Sequence, residues 1–451
     1  MKFLLVVFVG CFAFCYGQRE RYIHQKTKGM PWPIPKNIST SETTCFISEQ
    51  LIFDFGDLAN CDLMAEAERR AFRYVFRRNR EGVSSDGILS VVAVRLNNFI
   101  GLPPECSPNV YPADDMDESY KVKVDCSSTP MATITANSVW GLLHGIETFT
   151  QLTYMNDQGY TVVNDTTIFD EPSYTWRGVL LDTSRHFLPM SILLKNLEIM
   201  ATNKFNVFHW HIVDDPSFPW FSQKFPQLSL SGAYFPMATH SYSPGDVKMM
   251  LDKGRMLGIR IVPEFDTPGH TQSWGSGLPE LLTQCYDKDG NPLETYGAID
   301  PSSPKVWSLL SEIFQEVNEV FPDSYLHLGG DEVSFEFDCW LNNPRVKELM
   351  KVIGISTGAE LQNYYTNQQL IMLDTITKEK GRYVYWEEVF HSGIKLPSDR
   401  TVVHVWYSNQ TALANLTKTG LRGIYSSCWY LDHLDGTGDY AGLYFTVATI
   451  L

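Results

Sequence analysis

From Trp176 onward, short apolar runs alternate with longer stretches of helical periodicity. RGVLLDTSR, FNVFHWHIVDD, IRIVPEFDTPGH, YLHLGGDEV, YVYWEEV, TVVHVWYS and GIYSSCWYLD read as strands, separated by helical stretches such as MSILLKNLEIMATNK and SPGDVKMMLDKGRMLG. Strand, helix and strand in this order predict a parallel sheet. Nearly every strand carries polar or aromatic residues at its C-terminal end, where a (β/α)8 barrel places its chemistry. The competing doubly wound sheet is disfavoured because no G-x-G-x-x-G follows the first strand. The prediction is a (β/α)8 TIM barrel over residues 175–451.

Residues 31–155 predict a smaller α+β domain. CFISEQLIFDFG, GILSVVAVRLN, ESYKVKVDC and MATITA carry alternating or β-branched runs, while Asp62 to Arg78 and Asn137 to Tyr154 read as helices. In the second helix Val139, Leu142, Leu143, Ile146, Phe149 and Leu152 fall on one face, with Asn137 as the expected N-cap. The polar stretch NDTTIFDEPSY then reads as a linker, because Pro172 interrupts regular structure and the sequon at Asn164 needs exposure.

The 451 residues are 44% hydrophobic and 20% charged, enough to bury a substantial core. Asp and Glu number 52 against 36 Lys and Arg, a net charge of -16, which disfavours nucleic acid and anionic membrane surfaces as partners. Lys2, the apolar run from Phe3 to Phe14 and the small Gly17 read as a cleaved secretory signal, residues 1–17, with Gln18 as the first mature residue. No later stretch is long enough to span a bilayer, and the closing AGLYFTVATIL reads as barrel or core material. Removing Cys11 and Cys15 leaves seven cysteines for an oxidising compartment, an odd count that leaves at least one unpaired. Asn-x-Ser/Thr sequons at Asn37, Asn164, Asn409 and Asn415 are candidate glycan acceptors. The signal and sequons together predict a glycoprotein of the lysosome or the extracellular space.

Carboxylates crowd the strand ends: Asp182, Asp214, Asp215, Glu264, Asp266, Asp331, Glu332, Glu387, Glu388 and Asp432, accompanied by Trp210, Trp386, Trp406, Trp429 and Tyr430. Acid groups that accept hydroxyl protons, beside indole faces that stack on C–H surfaces, suit a neutral sugar. Asp331 and Glu332 are the most informative, since neighbouring residues reach one site only where a strand ends and the chain turns. Gly329 and Gly330 before them permit that turn and a close ligand approach. Carboxyls so close are expected to have divergent pKa values, one protonated and one ionised. The pair His209-x-His211, with His270, His327 and His404, leaves a metal-dependent hydrolase as an alternative. A noncatalytic sugar-binding protein is a second alternative.

HLGGDEV, VFHWHIVDDPSFPW, LLDTSRHF, EFDTPGH and WYLD resemble the β-N-acetylhexosaminidases of glycoside hydrolase family 20, in their lysosomal animal form. The resemblance implies an α+β domain preceding a (β/α)8 barrel. It also implies removal of terminal, non-reducing β-linked N-acetylglucosamine or N-acetylgalactosamine from oligosaccharides or glycoconjugates, without cofactor or metal. The nucleophile in this family is the substrate's own acetamido oxygen. By resemblance Glu332 is the general acid and base, and Asp331 orients the 2-acetamido group. Arg185 grips ring hydroxyls, Asp214 and His270 form a relay to the acid, and Asp266 lies near it. Trp386, Trp406 and Trp429 form an aromatic box, Tyr430 donates to the acetamido carbonyl, and Asp432 faces the sugar's 6-hydroxyl. Cys61 with Cys106 and Cys285 with Cys339 match family disulfides, while Cys45, Cys126 and Cys428 are left unassigned. Family members continue with an eighth strand, carrying a further Trp and Glu that bind the sugar, and with terminal helices and a dimer surface. Ending at Leu451, the sequence reads as a C-terminally incomplete barrel without that surface.

Overall fold

The computed structural model describes residues 28–75, 87–235, 240–377, 381–427 and 429–431. The expected signal segment, Cys428, Asp432 and the closing apolar segment lie outside them.

The N-terminal part is a six-stranded sheet of β1 (Asn37–Asp54), β2 (Ile88–Leu96), β3 (Tyr120–Asp125), β4 (Met131–Ala136), β5 (Tyr154–Met155) and β6 (Thr161–Asp170), in the order β1-β2-β4-β3-β6-β5. Period-two alternation sets its faces: Tyr120, Val122 and Val124 point inward with Ala132, Ile134 and Ala136, while Lys121 and Lys123 face solvent. Helices Asp62–Val75 and Val139–Leu152 cover the inner face. The second helix is buried on almost every side, because the barrel also closes on it: a Cβ at Gly258, just after barrel helix Pro244–Leu257, would meet Leu143 and Trp140.

Two sequence readings are corrected here. The N-cap is Ser138, whose side chain accepts from Gly141 N, whereas Asn137 pairs with Asn97 and Asp117. The stretch read as a linker is largely β6, bonded antiparallel to β3 and to the first half of β1. Within it Asn164 Nδ2 donates to the Ser41 carbonyl at 2.7 Å, and Thr166 is 1% exposed.

The remainder is barrel-like. Among the described residues seven parallel strands, β7 (Gly178–Asp182), β8 (Val207–Val213), β9 (Arg260–Phe265), β12 (Tyr325–His327), β13 (Arg382–Trp386), β14 (Thr401–Val405) and β15 (Arg422–Tyr425), neighbour one another in chain order. An antiparallel hairpin, β10 (Leu282–Tyr286) and β11 (Pro292–Ile299), is inserted between β9 and β12. Residues facing the barrel interior form layers. The lowest contains Val207, Val262, Tyr325, Val384, Val402 and Ile424 beside Trp176. Two residues further along their strands, His209, Glu264, His327, Trp386 and His404 form a polar layer beneath the strand ends.

Disulfides join Cys61 to Cys106, Cys285 to Cys339 and Cys45 to Cys126; the last supplies a pairing that the sequence left open. The sheet domain and barrel share a buried polar seam. Glu118 accepts from Arg177 Nη1 at 3.0 Å and Asn206 Nδ2 at 3.1 Å, both of the barrel, and pairs with His144 at 2.8 Å. Among the described residues no helix is long and apolar enough to cross a membrane.

Candidate active site

The chain turns sharply after β12. Gly329, Gly330 and Glu332 have φ of 68°, 93° and 55°, and this left-handed path carries both acids to the strand-end face. Asp266 receives the turn, with Gly330 N donating to its Oδ1 at 2.9 Å.

At the centre His270 links three carboxyls. Its Nδ1 lies 2.6 Å from Asp266 Oδ2 and 3.6 Å from Asp331 Oδ1, while Nε2 lies 3.2 Å from Glu332 Oε2. Asp214 Oδ2 is 3.9 Å from His270 Nδ1, so Asp266 is the closer ring partner. Burial opposes the charge on His270, but Asp266 outweighs it and holds the imidazole protonated far above its usual range. Burial, reinforced by the charge of Asp331, pushes Asp266 well upward. Asp331 is largely buried too, yet the nearby His270, 3.6 Å away, brings it below the usual carboxylate range. Asp266 and Asp331 are thus driven in opposite directions.

Arg185 stands at the side of this chain. Its Nη1 donates to Asp182 Oδ2 at 2.7 Å, and its Nη2 lies 3.0 Å from Asp214 Oδ2. Asp215 accepts from Gln272 N at 2.9 Å, tying the loop after β8 to the helix after His270.

Aromatic residues line the other side. Trp386 stacks on His404 at 4.2 Å and meets Trp406 edge-on at 6.3 Å; Trp406 lies 6.2 Å from Tyr430. Trp429 stands at the rim, 40% exposed. Trp210 is a correction: it is fully buried on the outer side of β8, donating to Thr183, because only alternate residues of that strand face the interior.

Glu387 and Glu388 fix Trp406. Glu387 Oε1 accepts the backbone N–H groups of Trp406, Tyr407 and Ser408 at 2.8, 2.8 and 3.0 Å, and Glu388 accepts the indole N–H at 3.1 Å. Burial, with added repulsion from Asp331 and Glu387, raises Glu388 to about 7.

Two supporting residues were missed by the sequence argument. Gln362 Nε2 donates to the Gly330 carbonyl at 2.9 Å, and Gln369 Nε2 donates to Thr267 Oγ1 at 2.8 Å. Both are buried on one face of helix Gly358–Ile376. The available signal was two amides seven residues apart on an otherwise core-facing stripe.

The histidines considered as metal ligands do gather, with ring nitrogens of His209, His327 and His404 within 4.8 Å of one another. The rings of His209 and His327 stack at 4.5 Å and 23°, so their in-plane lone pairs do not share a point. His209 Nε2 is 2.7 Å from Glu264, and His404 Nε2 is 2.8 Å from Ser426 Oγ. The geometry is that of a hydrogen-bonded core.

A parallel barrel whose strand ends converge on a carboxylate, imidazole and carboxylate chain beside indole faces defines a carbohydrate-directed hydrolase. The pattern of "Glycosyl hydrolase family 20, catalytic domain" matches residues 174–446, and that described as "beta-acetyl hexosaminidase like" matches residues 31–152. The chain belongs to glycosyl hydrolase family 20.

It is 42% identical to human "Beta-hexosaminidase subunit beta" over 391 residues, covering 85% of this chain and 67% of that protein. It is 38% identical to the bovine alpha subunit over 435 residues, covering 92% and 78%. The solved chitobiase of Flavobacterium johnsoniae superposes with a TM-score of 0.70 at 28% identity, covering 92% of this chain and 62% of that one. The chain thus spans about six tenths of the length of that bacterial protein.

Proposed function

We propose that this chain hydrolyses terminal, non-reducing β-linked N-acetylglucosamine or N-acetylgalactosamine with retention of configuration. The carrying observation is the continuous chain Asp266, His270, Glu332, with Asp331 facing the same imidazole.

Glu332 donates its proton to the glycosidic oxygen as the bond to the anomeric carbon breaks. The substrate's acetamido oxygen attacks that carbon from the opposite face and closes an oxazolinium ring. Attack from within the bound sugar is effectively unimolecular, which accounts for an N-acetyl requirement. Asp331, kept ionised by His270, accepts from the acetamido N–H and stabilises the positive charge that develops on the ring. Water then opens the ring, Glu332 takes its proton, and the product leaves in the β configuration. His270 Nε2, 3.2 Å from Glu332 Oε2, is placed to hydrogen-bond the carboxylate left after the first step. Arg185 suits paired ring hydroxyls with its planar fork of donors, while Trp386, Trp406, Trp429 and Tyr430 enclose the acetamido group.

The same reading assigns the chain to the lysosome, in keeping with three disulfides formed in an oxidising compartment. Glycans are assigned to exposed Asn37, Asn409 and Asn415.

The test is release of 4-nitrophenol from its N-acetyl-β-glucosaminide at acidic pH, with NMR identifying the first anomer formed. The β anomer is expected, and Glu332→Gln should lose ~10²- to 10⁴-fold in turnover of an unactivated substrate while retaining sugar binding. An α first product, sugar binding without turnover, or a folded Glu332→Gln protein of undiminished rate would overturn the reading.

A further inference from the structure

Glu264 lies directly beneath the sugar pocket, fully buried, and belongs to none of the steps above. Four side chains from three other strands surround its carboxylate. From β8, His209 Nε2 reaches Oε2 at 2.7 Å and His211 Nδ1 reaches the same oxygen at 2.8 Å. From β12, His327 Nδ1 lies 3.3 Å from Oε1, and from β13 the Trp386 indole N–H donates to Oε1 at 2.7 Å.

Two of these contacts lead upward to opposite walls. The other ring nitrogen of His211 is 2.8 Å from Asp214 Oδ2, the oxygen that also meets Arg185. The Trp386 indole is the inner member of the aromatic wall.

We propose that Glu264 is a positioning residue that registers the Arg185 and Asp214 wall against the Trp386 wall, through His211 on one side and the indole N–H on the other. This rests on the reading of the pocket as an N-acetylhexosamine site. A carboxylate has lone pairs for several donors at once, and its charge favours an imidazolium at His211. Burial disfavours that cation, but Glu264 and then Asp214 outweigh it and hold His211 protonated well above its usual range. His209 and His404 are driven down by burial and by His327, so His211 is the cation that Glu264 supports among the ring neighbours whose shifts are resolved. Other charged groups facing this cluster are Arg185, whose Nη1 lies 3.1 Å from His211 Nε2 and whose charge opposes that of His211, Asp182 beside His211, and Asp266 and Asp331 above Glu264.

Glu264→Gln keeps the volume and one acceptor oxygen but removes the charge. Its kcat/KM on the 4-nitrophenyl N-acetyl-β-glucosaminide should fall ~10- to 100-fold, the scale of a small misplacement of binding groups. The alkaline limb of the pH profile should move to lower pH, because His211 then loses its proton earlier and Asp214 loses a cationic neighbour. Calorimetry with free N-acetylglucosamine should show weakened binding. A folded Glu264→Gln protein with wild-type kcat, KM, pH profile and sugar affinity would overturn the proposal. Should that variant fail to fold, His211→Asn tests the same arm: weaker N-acetylglucosamine binding with a displaced alkaline limb supports the proposal, and unchanged values overturn it. A wild-type protein that neither binds nor cleaves N-acetylhexosaminides would remove the underlying reading, an outcome distinct from a normal wild type with an indifferent variant.

Discussion

Gly329 and Asp266 occupy each other's van der Waals space to a degree that only glycine permits: a Cβ at position 329 would lie 1.7 Å from Asp266 Oδ1. The same backbone has φ of 68°, so a side chain there meets both a steric and a conformational penalty. Because Gly330 N donates to that Asp266 oxygen, displacing the carboxylate also releases the turn bearing Asp331 and Glu332.

Gly329→Ala is therefore expected to lower stability by ~2–5 kcal/mol, combining overpacking with left-handed strain. Turnover should fall further than stability explains. Melting temperature and kcat on the soluble fraction, measured together, check this; a variant with wild-type kcat would show that Asp266 tolerates displacement.

Asp331→Asn separates the roles of the adjacent acids. It removes the negative charge that the proposed mechanism sets against the acetamido nitrogen, but leaves Glu332 beside His270. The expected result is a kcat lower by ~10²- to 10³-fold, the scale of losing one preorganised electrostatic contact, with sugar affinity changed much less. Comparing kcat with the dissociation constant of N-acetylglucosamine tests it, and parallel losses in both would assign Asp331 to ground-state binding.

Much of the barrel was legible because βα alternation in a parallel sheet writes a regular pattern, and strand-end carboxylates follow from where the strands stop. What escaped depended on partners far away in sequence. Asn137 and Ser138 are equally good caps by composition, and Asn137 is diverted by Asp117. The stretch NDTTIFDEPSY looks polar enough for a loop, yet its first seven residues belong to a strand paired with β1 on one side and β3 on the other. His209 and His211 carry the composition of a metal motif. Only the position of Glu264, 55 residues after His209, makes them donors to a buried carboxylate.

Glu388 should give the fold a pH dependence near neutrality. Its carboxyl is raised from the usual 4.5 to about 7, chiefly by burial, so the folded protein keeps a proton that the unfolded chain has released. Stability from this group is fully present below about 4.5 and is lost as pH rises through about 7. Glu388→Gln, which retains an acceptor for the Trp406 indole, should flatten the decline in melting temperature between those pH values. A decline as steep as the wild type's would place its origin elsewhere.

Glu118 should act in the opposite direction at the seam between sheet domain and barrel. Burial alone would raise its pKa, but His144 and Arg177 outweigh it and bring the carboxyl down to about 2. A depressed folded value contributes stability above the unfolded value of 4.5 and loses it as pH falls toward about 2. The fold is thereby kept through the moderately acidic range, where Glu118 remains ionised. Removing the charge leaves Arg177 with a buried, uncompensated cation, so Glu118→Gln should destabilise the protein by ~3–5 kcal/mol at neutral pH. The deficit should shrink as pH drops below about 4.5, since the wild type then loses what the variant already lacks. Chemical denaturation of both proteins from pH 7 to pH 3 measures the two curves; a constant gap across that range would mean that the seam is held by packing and neutral hydrogen bonds, not by the Glu118 charge.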